Sequence, residues 1–417
     1  MTPGKSSVED LKRRVVASAK LPLEHAMSLP PEVYTSEAYF DYEVATVLSR
    51  SWMGVAHVSQ LKKPGDYVNI DLLGEPLLVI RAKDGEIRVL SRVCPHRAMD
   101  VMSPANDAAA SETGNAPILV CPYHRWSFDL DGKLKGCPEM HEAADFNKED
   151  WGLSEFRSEI WQGFVFVDFS GEAEPLETQF AGWSEIIAPW KVAEMQMTTE
   201  MEWIVDANWK VMVENWAESY HHLGSHHSSL HVQMPAGMTW CEQTDDNVLR
   251  CHLPYKPELV AELKAAAAAG NPPSGFRPIQ GLTEAQQNEW GVWVGLPCFM
   301  FLTGPDRTIW YRLQPLSAGK CKLTTTTLVD PANFADPDYE KTLTEQNAML
   351  ADFHMEDMAM YPGVQRGLNS RAARPGRLSH LEDPVLRLQR YLARRIEEDG
   401  RRNSKGVSRV SESEAVL

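Results

Sequence analysis

Two short segments hold the residues of this chain whose types and spacing could do chemistry. Cys94-Pro-His96 and Cys121-Pro-Tyr-His124 each offer one thiolate and one imidazole on a tight turn. Two cysteines and two histidines can hold a structural zinc ion. The alternation also fits a [2Fe-2S] cluster, and fits it better. A Cys-x-His paired with a Cys-x2-His lets two thiolates hold one iron and two imidazoles the other, which raises the reduction potential above that of an all-thiolate cluster. The second segment, Asn208 to His231, reads NWKVMVENWAESYHHLGSHHSSLH and gathers five histidines and two glutamates. Imidazoles beside one carboxylate, with coordination positions left open, are how non-haem Fe(II) is held for work with O2.

Read as a helix, the second segment places Trp209, Val213, Trp216 and Tyr220 on an apolar stripe. Lys210, Glu214, Glu218 and His221 or His222 line a neighbouring polar one. The polar stripe has a plain alternative, a solvated face laced with weak i, i+4 ion pairs. On an ideal helix His222 and His226 share a face, whereas His221 and His226 stand apart. Gly224 lies between them, a natural place for the helix to end or distort so that the wider spacing converges. A third ligand is expected from a long helix over about Pro337 to Met360. There Leu343, Leu350, Phe353 and Met360 define an apolar stripe with Asp357 on it and Glu356 rotated off. An inward carboxylate is costly unless it meets a metal or an arginine. His227 and His231 receive no role.

The elements that must position these residues fall into two textures. A helical lead-in over 1–45, broken by Pro22, Pro30 and Pro31, precedes short β-rich runs such as DYVNIDLLG, EPLLVIRAKDG, EIRVLSRVC and IWQGFVFVDF. Turn signals at Asp84-Gly85 and Asp131-Gly132 predict a small antiparallel β domain over 46–171. From 172 to 397 helix-like and strand-like segments mix, which predicts an antiparallel sheet packed against helices and an α+β fold class. Ser103 to Pro117 and the run AAAAAGNPPSG read as loops, and the charged, serine-rich 398–417 as a disordered tail.

Composition excludes several classes. A net charge of −17 repels nucleic acid. No run is apolar for long enough to cross a bilayer and no signal-like core follows the N-terminus, so a cytoplasmic location without a membrane partner is expected. Seven cysteines at irregular spacings argue against a disulfide framework, and Cys137, Cys241, Cys251, Cys298 and Cys321 read as small core residues. No dinucleotide fingerprint is present, so electrons must come from another protein.

CPHRAMDVM, CPYHRWSFDLDGKL and NWKVMVENWAESYHHLGSHH together resemble the large (α) subunit of a Rieske non-haem iron oxygenase, from about residue 35 to 395. The resemblance implies a Rieske [2Fe-2S] domain inserted into a helix-grip (START-like) catalytic domain that carries mononuclear Fe(II). It implies an O2-dependent reaction on a small organic substrate, with an NAD(P)H-dependent reductase, with or without a ferredoxin, as electron source. It further implies a homotrimer (α3), or α3β3 with a second subunit, in which the cluster of one subunit feeds the iron of the next. The family's cluster ligands fall on Cys94, His96, Cys121 and His124, and its iron ligands on His221, His226 and Asp357, with His222 as the alternative histidine. Asn215 falls near the iron, and Glu218 on the carboxylate that bridges the two centres. Arg125 stands where glycine is common. Glu218 stands where ring-hydroxylating members usually carry aspartate, and in that respect the chain resembles members that oxidise betaines and carnitine. Aromatic-ring hydroxylation is the expected reaction. The alternatives are oxidative N-demethylation or hydroxylation of a betaine- or carnitine-like amine, and oxidation of a small sulfonate. Trp216, Trp240, Trp290 and Trp293 are candidates to line the pocket.

Overall fold

Alternating runs closed by glycine turns pair into sheets, and in this chain they do so twice. The computed structural model describes residues 6–103, 112–244, 247–270 and 275–414. They form two compact units, one of Arg50–Met197 and one that joins the chain up to Ser49 with Thr198 onward. Residues 172–197, grouped with the second texture in the sequence, belong to the first unit.

The Arg50–Met197 unit holds β1 (Met53–His57), β2 (Asp66–Leu72), β3 (Glu75–Arg81), β4 (Ile87–Ser91), β5 (Thr113–Asn115), β6 (Leu119–Val120), β7 (Ser127–Phe128), β8 (Leu134–Gly136), β9 (Glu155–Trp161) and β10 (Phe164–Asp168). One sheet runs β1-β10-β9-β4-β3-β2-β5 and a smaller one β6-β7-β8. Leu78, Ile80, Leu90, Trp126 and Phe128 form a buried core that also encloses Cys94 and Cys121. The bases of both Cys/His loops are therefore anchored in packed side chains. The expected loop from Ser103 to Pro117 is corrected in part, because β5 pairs with β2 through Tyr67 and Gly114. Its residues 104–111 lie outside the described residues.

In the other unit β11 (Gln196–Val205), β12 (Trp240–Cys241), β13 (Val248–Pro254), β14 (Glu289–Gly295), β15 (Phe299–Thr303), β16 (Thr308–Ser317) and β17 (Lys320–Val329) form a sheet of order β11-β17-β16-β15-β14-β13-β12. From β12 to β17 each strand pairs antiparallel with the next. The helices that matter most are α1 (Val8–Ala19), α2 (Glu37–Thr46), α3 (Trp209–Ala217), α4 (Tyr339–Met358), α5 (Tyr361–Leu368) and α6 (Asp383–Glu414). α3 packs on β14, β16, α5 and α6. Asn208 starts it: its side-chain oxygen accepts from the Lys210 amide at 2.9 Å, and its side-chain nitrogen donates to the Ala318 carbonyl at 2.7 Å.

One alternative is excluded here and three expectations are corrected. The polar stripe of α3 is not a solvated face: Lys210 Nζ lies 2.7 Å from Glu43 Oε2 with both side chains buried, and Glu214 accepts from the Tyr34 hydroxyl at 2.7 Å. Helix α3 breaks at Glu218, which is extended at φ −125° and ψ 165°, rather than at Gly224, and a 3-10 turn over Tyr220–Leu223 follows. The alanine run ends a helix over Pro257–Ala268, as the helix propensity of alanine favours, and residues 271–274 lie outside the described residues. The tail expected to be disordered from 398 continues α6 as far as Glu414.

Cys241 and Cys251 sit directly opposite each other on β12 and β13 and form a disulfide, which corrects their reading as free core thiols. Cys298 and Cys321 are buried free thiols. Among the described residues no helix is long and apolar enough to cross a membrane.

Candidate metal centres

The two Cys/His loops are built alike. Each cysteine amide donates to the carbonyl five residues on, Cys94 to Met99 at 2.9 Å and Cys121 to Trp126 at 2.8 Å. Each cysteine carbonyl accepts from the amide four residues on, Ala98 at 2.9 Å and Arg125 at 3.1 Å. That fourth residue turns the chain with φ of +57° at Ala98 and +62° at Arg125. A left-handed residue at this point explains why glycine would be natural where Arg125 stands.

The loops bring His96 and His124 together, with ring centroids 4.7 Å apart, and Trp126 stacks flat on His96 at 4.8 Å. Cys94 and Cys121 are buried. Burial, with Cys121 beside it, pushes the Cys94 thiol up to about 11. A thiol in that state ionises readily only against a cation. Nδ1 of His124 is buried and has no hydrogen-bond partner among the described residues. A buried ring nitrogen left unpaired is costly, and a metal removes that cost. Two adjoining thiols and two imidazoles are the donor set of a Rieske cluster, so the residues present fit the group.

The second centre forms where α3, the 3-10 turn and α4 meet. His221, His222 and His226 offer ring nitrogens within 4.8 Å of one another. Helix α4 adds Asp357, whose Oδ1 lies 3.1 Å from His226 Nε2 and 3.9 Å from His221 Nε2. Asn215 on α3 donates to the same Oδ1 at 3.2 Å and meets the Tyr361 hydroxyl at 3.0 Å. The opposite ring nitrogens are also held. His221 Nδ1 meets Glu218 Oε1 at 2.9 Å, and His226 Nδ1 meets Glu356. A carboxylate on Nδ1 fixes the tautomer and leaves Nε2 free for a metal.

His222 differs from its neighbours. It is buried, its Nδ1 has no partner among the described residues, and burial with His221 and His226 beside it pushes its pKa down to about 3. Glu218 has a further task, since it accepts the backbone N–H groups of Tyr220 and His221 and so caps the 3-10 turn. The proximity expected of i and i+3 residues therefore exists although the helix has ended. Glu356, which also accepts from the Ser229 hydroxyl at 2.5 Å, and Tyr361 were missed in the sequence. Glu356 had a signal: successive residues on a helix point about 100° apart, so Asp357 and Glu356 can serve two different targets. His227 and His231 stack on each other at 6.0 Å, outside the three-histidine group.

His221, His222, His226 and Asp357 border a cavity of about 180 Å³. Its floor is a row of directly paired residues across β14 to β17, Val292, Leu302, Ile309 and Thr327, one face of four adjacent strands. Trp216 and Tyr311, 5.1 Å apart edge to face, and Phe353 complete the apolar wall. Of the four candidate tryptophans Trp216 and Trp290 line the cavity. Trp240 stacks instead on His252 at 4.0 Å and Trp293 on Phe301 at 5.4 Å.

Comparison with known proteins matches residues 51–148 to the Rieske [2Fe-2S] domain and residues 180–398 to the ring hydroxylating alpha subunit (catalytic domain). The carnitine monooxygenase oxygenase subunit of Acinetobacter baumannii is 27% identical over 379 residues, 88% of this chain and 91% of that protein. The biphenyl 2,3-dioxygenase subunit alpha of Rhodococcus jostii is 31% identical over 232 residues, 54% of this chain and 49% of that protein. Among solved structures, a quaternary ammonium Rieske monooxygenase in complex with L-carnitine superposes with a TM-score of 0.72 at 25% identity, covering 91% of this chain and 97% of that one. Naphthalene 1,2-dioxygenase from Rhodococcus sp., at 18% identity, shares the fold with a TM-score of 0.72 over 93% of this chain and 98% of that one.

Proposed function

The chain belongs to the ring-hydroxylating α-subunit family of Rieske oxygenases, and from that membership we propose that it hydroxylates an aromatic substrate with a single-ring body. Proteins of this family are terminal oxygenases that carry a Rieske [2Fe-2S] cluster and a mononuclear iron, receive electrons from partner proteins and assemble as oligomers. When bound, the cluster supplies electrons one at a time and the mononuclear iron supplies the O2 chemistry.

The residue assignments belong to this proposal. Cys94, His96, Cys121 and His124 hold the cluster. His221, His226 and Asp357 hold the iron. Asn215 orients Asp357, Glu356 orients His226, and Glu218 orients His221 and carries the link to the cluster of a neighbouring subunit in an α3 ring. An NAD(P)H-dependent reductase serves as donor.

The observation that carries the substrate reading is the apolar cavity beside the proposed iron ligands. At about 180 Å³ it compares with the roughly 150 Å³ apolar cavity that takes up benzene. Among the described residues its two lining carboxylates, Glu218 and Asp357, are both engaged by histidines, which leaves none of those to balance a cationic substrate. A second reading, oxidation of a betaine- or carnitine-like amine, is favoured by similarity to carnitine monooxygenase along 88% of the chain and by glutamate at position 218. Incubation with reductase, NADH and 18O2 separates the two. Labelled hydroxyl on the ring of benzoate or toluene is the expected product, and oxidation of carnitine or γ-butyrobetaine with no ring product would reverse the order of the readings.

A further inference from the structure

The cavity has a second polar end. Arg307, next to the first residue of β16, has a side chain only 9% exposed and borders both the 180 Å³ cavity and a second cavity of about 970 Å³. Its guanidinium lies over the rings of Trp290 at 5.2 Å and Phe276 at 5.7 Å. Nη1 donates to Asp306 Oδ2 at 2.9 Å. A guanidinium carries five N–H donors in a planar fork, and among the described residues Asp306 is the sole side chain that receives one. A largely buried cation that lines two cavities, with one side-chain acceptor among the described residues, has donor capacity left for an incoming acceptor, and the fork matches a carboxylate or sulfonate through two parallel hydrogen bonds.

Position along the strand gives the spacing. Arg307, Ile309 and Tyr311 alternate on the cavity face of one extended segment, and the Tyr311 ring lies 5.2 Å from His354 at the histidine end. Four residues of extended chain put the backbone of Arg307 ~13 Å from that of Tyr311. A ring placed near the histidines can then direct a short side arm toward the arginine.

We propose that Arg307 binds an oxyanion at the end of the substrate remote from the reacting ring, so that the substrate is an aromatic acid and not a hydrocarbon. The proposal rests on the reading that this cavity receives the ring. The opposing role is a purely structural Asp306–Arg307 ion pair.

Equilibrium binding to the metal-loaded protein, read by calorimetry or tryptophan fluorescence, tests it without turnover. The probes are benzoate, phenylacetate and 3-phenylpropanoate, each against its primary amide, with benzenesulfonate against benzenesulfonamide as the second oxyanion. At least one acid is expected to bind about tenfold or more tightly than its amide. Arg307→Gln should erase that preference and leave amide binding within about twofold. If Arg307→Gln does not fold, the pair Asp306→Asn with Arg307→Gln removes both charges and serves in its place. If no acid outbinds its amide, or if the variant weakens acid and amide alike, the proposal is overturned. Ring hydroxylation of a neutral substrate without acid preference would overturn the role of Arg307 alone. Acid-selective binding without ring oxidation would overturn the aromatic-hydroxylation reading alone.

Discussion

A carboxylate on one ring nitrogen commits a histidine to act through the other. His221 and His226 have such partners in Glu218 and Glu356, and His222 has none among the described residues. His221→Ala should therefore lose mononuclear iron while keeping the visible spectrum of the cluster, and His222→Ala should keep both. Metal analysis beside the spectra checks this, and the reverse pattern would move the ligand to His222. Glu218→Gln should keep both metals, because the amide retains hydrogen-bonding capacity at the turn. Its cost should fall on transfer, with reoxidation of the reduced cluster under substrate and O2 slowed about tenfold or more. A near-normal single-turnover rate would reduce Glu218 to a cap of the 3-10 turn.

At the scale of elements, α3 is held from behind by a buried polar network. Lys210 meets Glu43 of α2, and Glu214 meets the hydroxyl of Tyr34. Burial raises the Glu214 carboxyl from its ordinary value of 4.5 to about 7, with Tyr34 and Lys210 opposing and Glu382 and Glu43 adding. The folded state thus keeps a proton that the unfolded chain releases, so stability is full below about pH 4.5 and falls as pH rises to about 7. At 1.36 kcal/mol per unit the loss reaches at most about 3 kcal/mol. Glu214→Gln should remove this slope, gaining stability over the parent chain at pH 8 and little at pH 5 in urea unfolding. An equal difference at both values would mean that Glu214 does not titrate in this range. None of this network can be read from local spacing, because Lys210 and Glu43 are 167 residues apart in sequence. A stripe of Lys, Glu and Glu at i, i+4 steps looks the same whether it faces water or a buried partner.

At the scale of the whole molecule, the proposed α3 ring makes a prediction about mixtures. A cluster-deficient variant, His124→Ala, and an iron-deficient variant, His221→Ala, should each be inactive alone. Co-expressed with different tags and isolated as mixed oligomers, they should recover product formation, because an intact cluster in one subunit would adjoin an intact iron site in the next. Inactive mixed oligomers that contain both metals would confine transfer to a single chain.

The chain order alone determined the chemistry of both centres. Cys94, His96, Cys121 and His124 are recognisable as a candidate ligand set because thiol and imidazole donors on short loops with narrow spacing bring their own geometry. The long helix α4 was legible for the same reason, since the helix period is a local property. Tertiary structure decided the rest. It broke α3 at Glu218 instead of Gly224, because the Glu218 carboxylate caps the turn that follows. It joined Cys241 to Cys251 through a strand register that no spacing reveals. It turned Glu356 onto His226 and placed Arg307 on the lining of the same cavity, where residues far apart in sequence meet. Ligand type is a property of residues, whereas partner, burial and cavity shape are properties of packing. Only the folded chain has those.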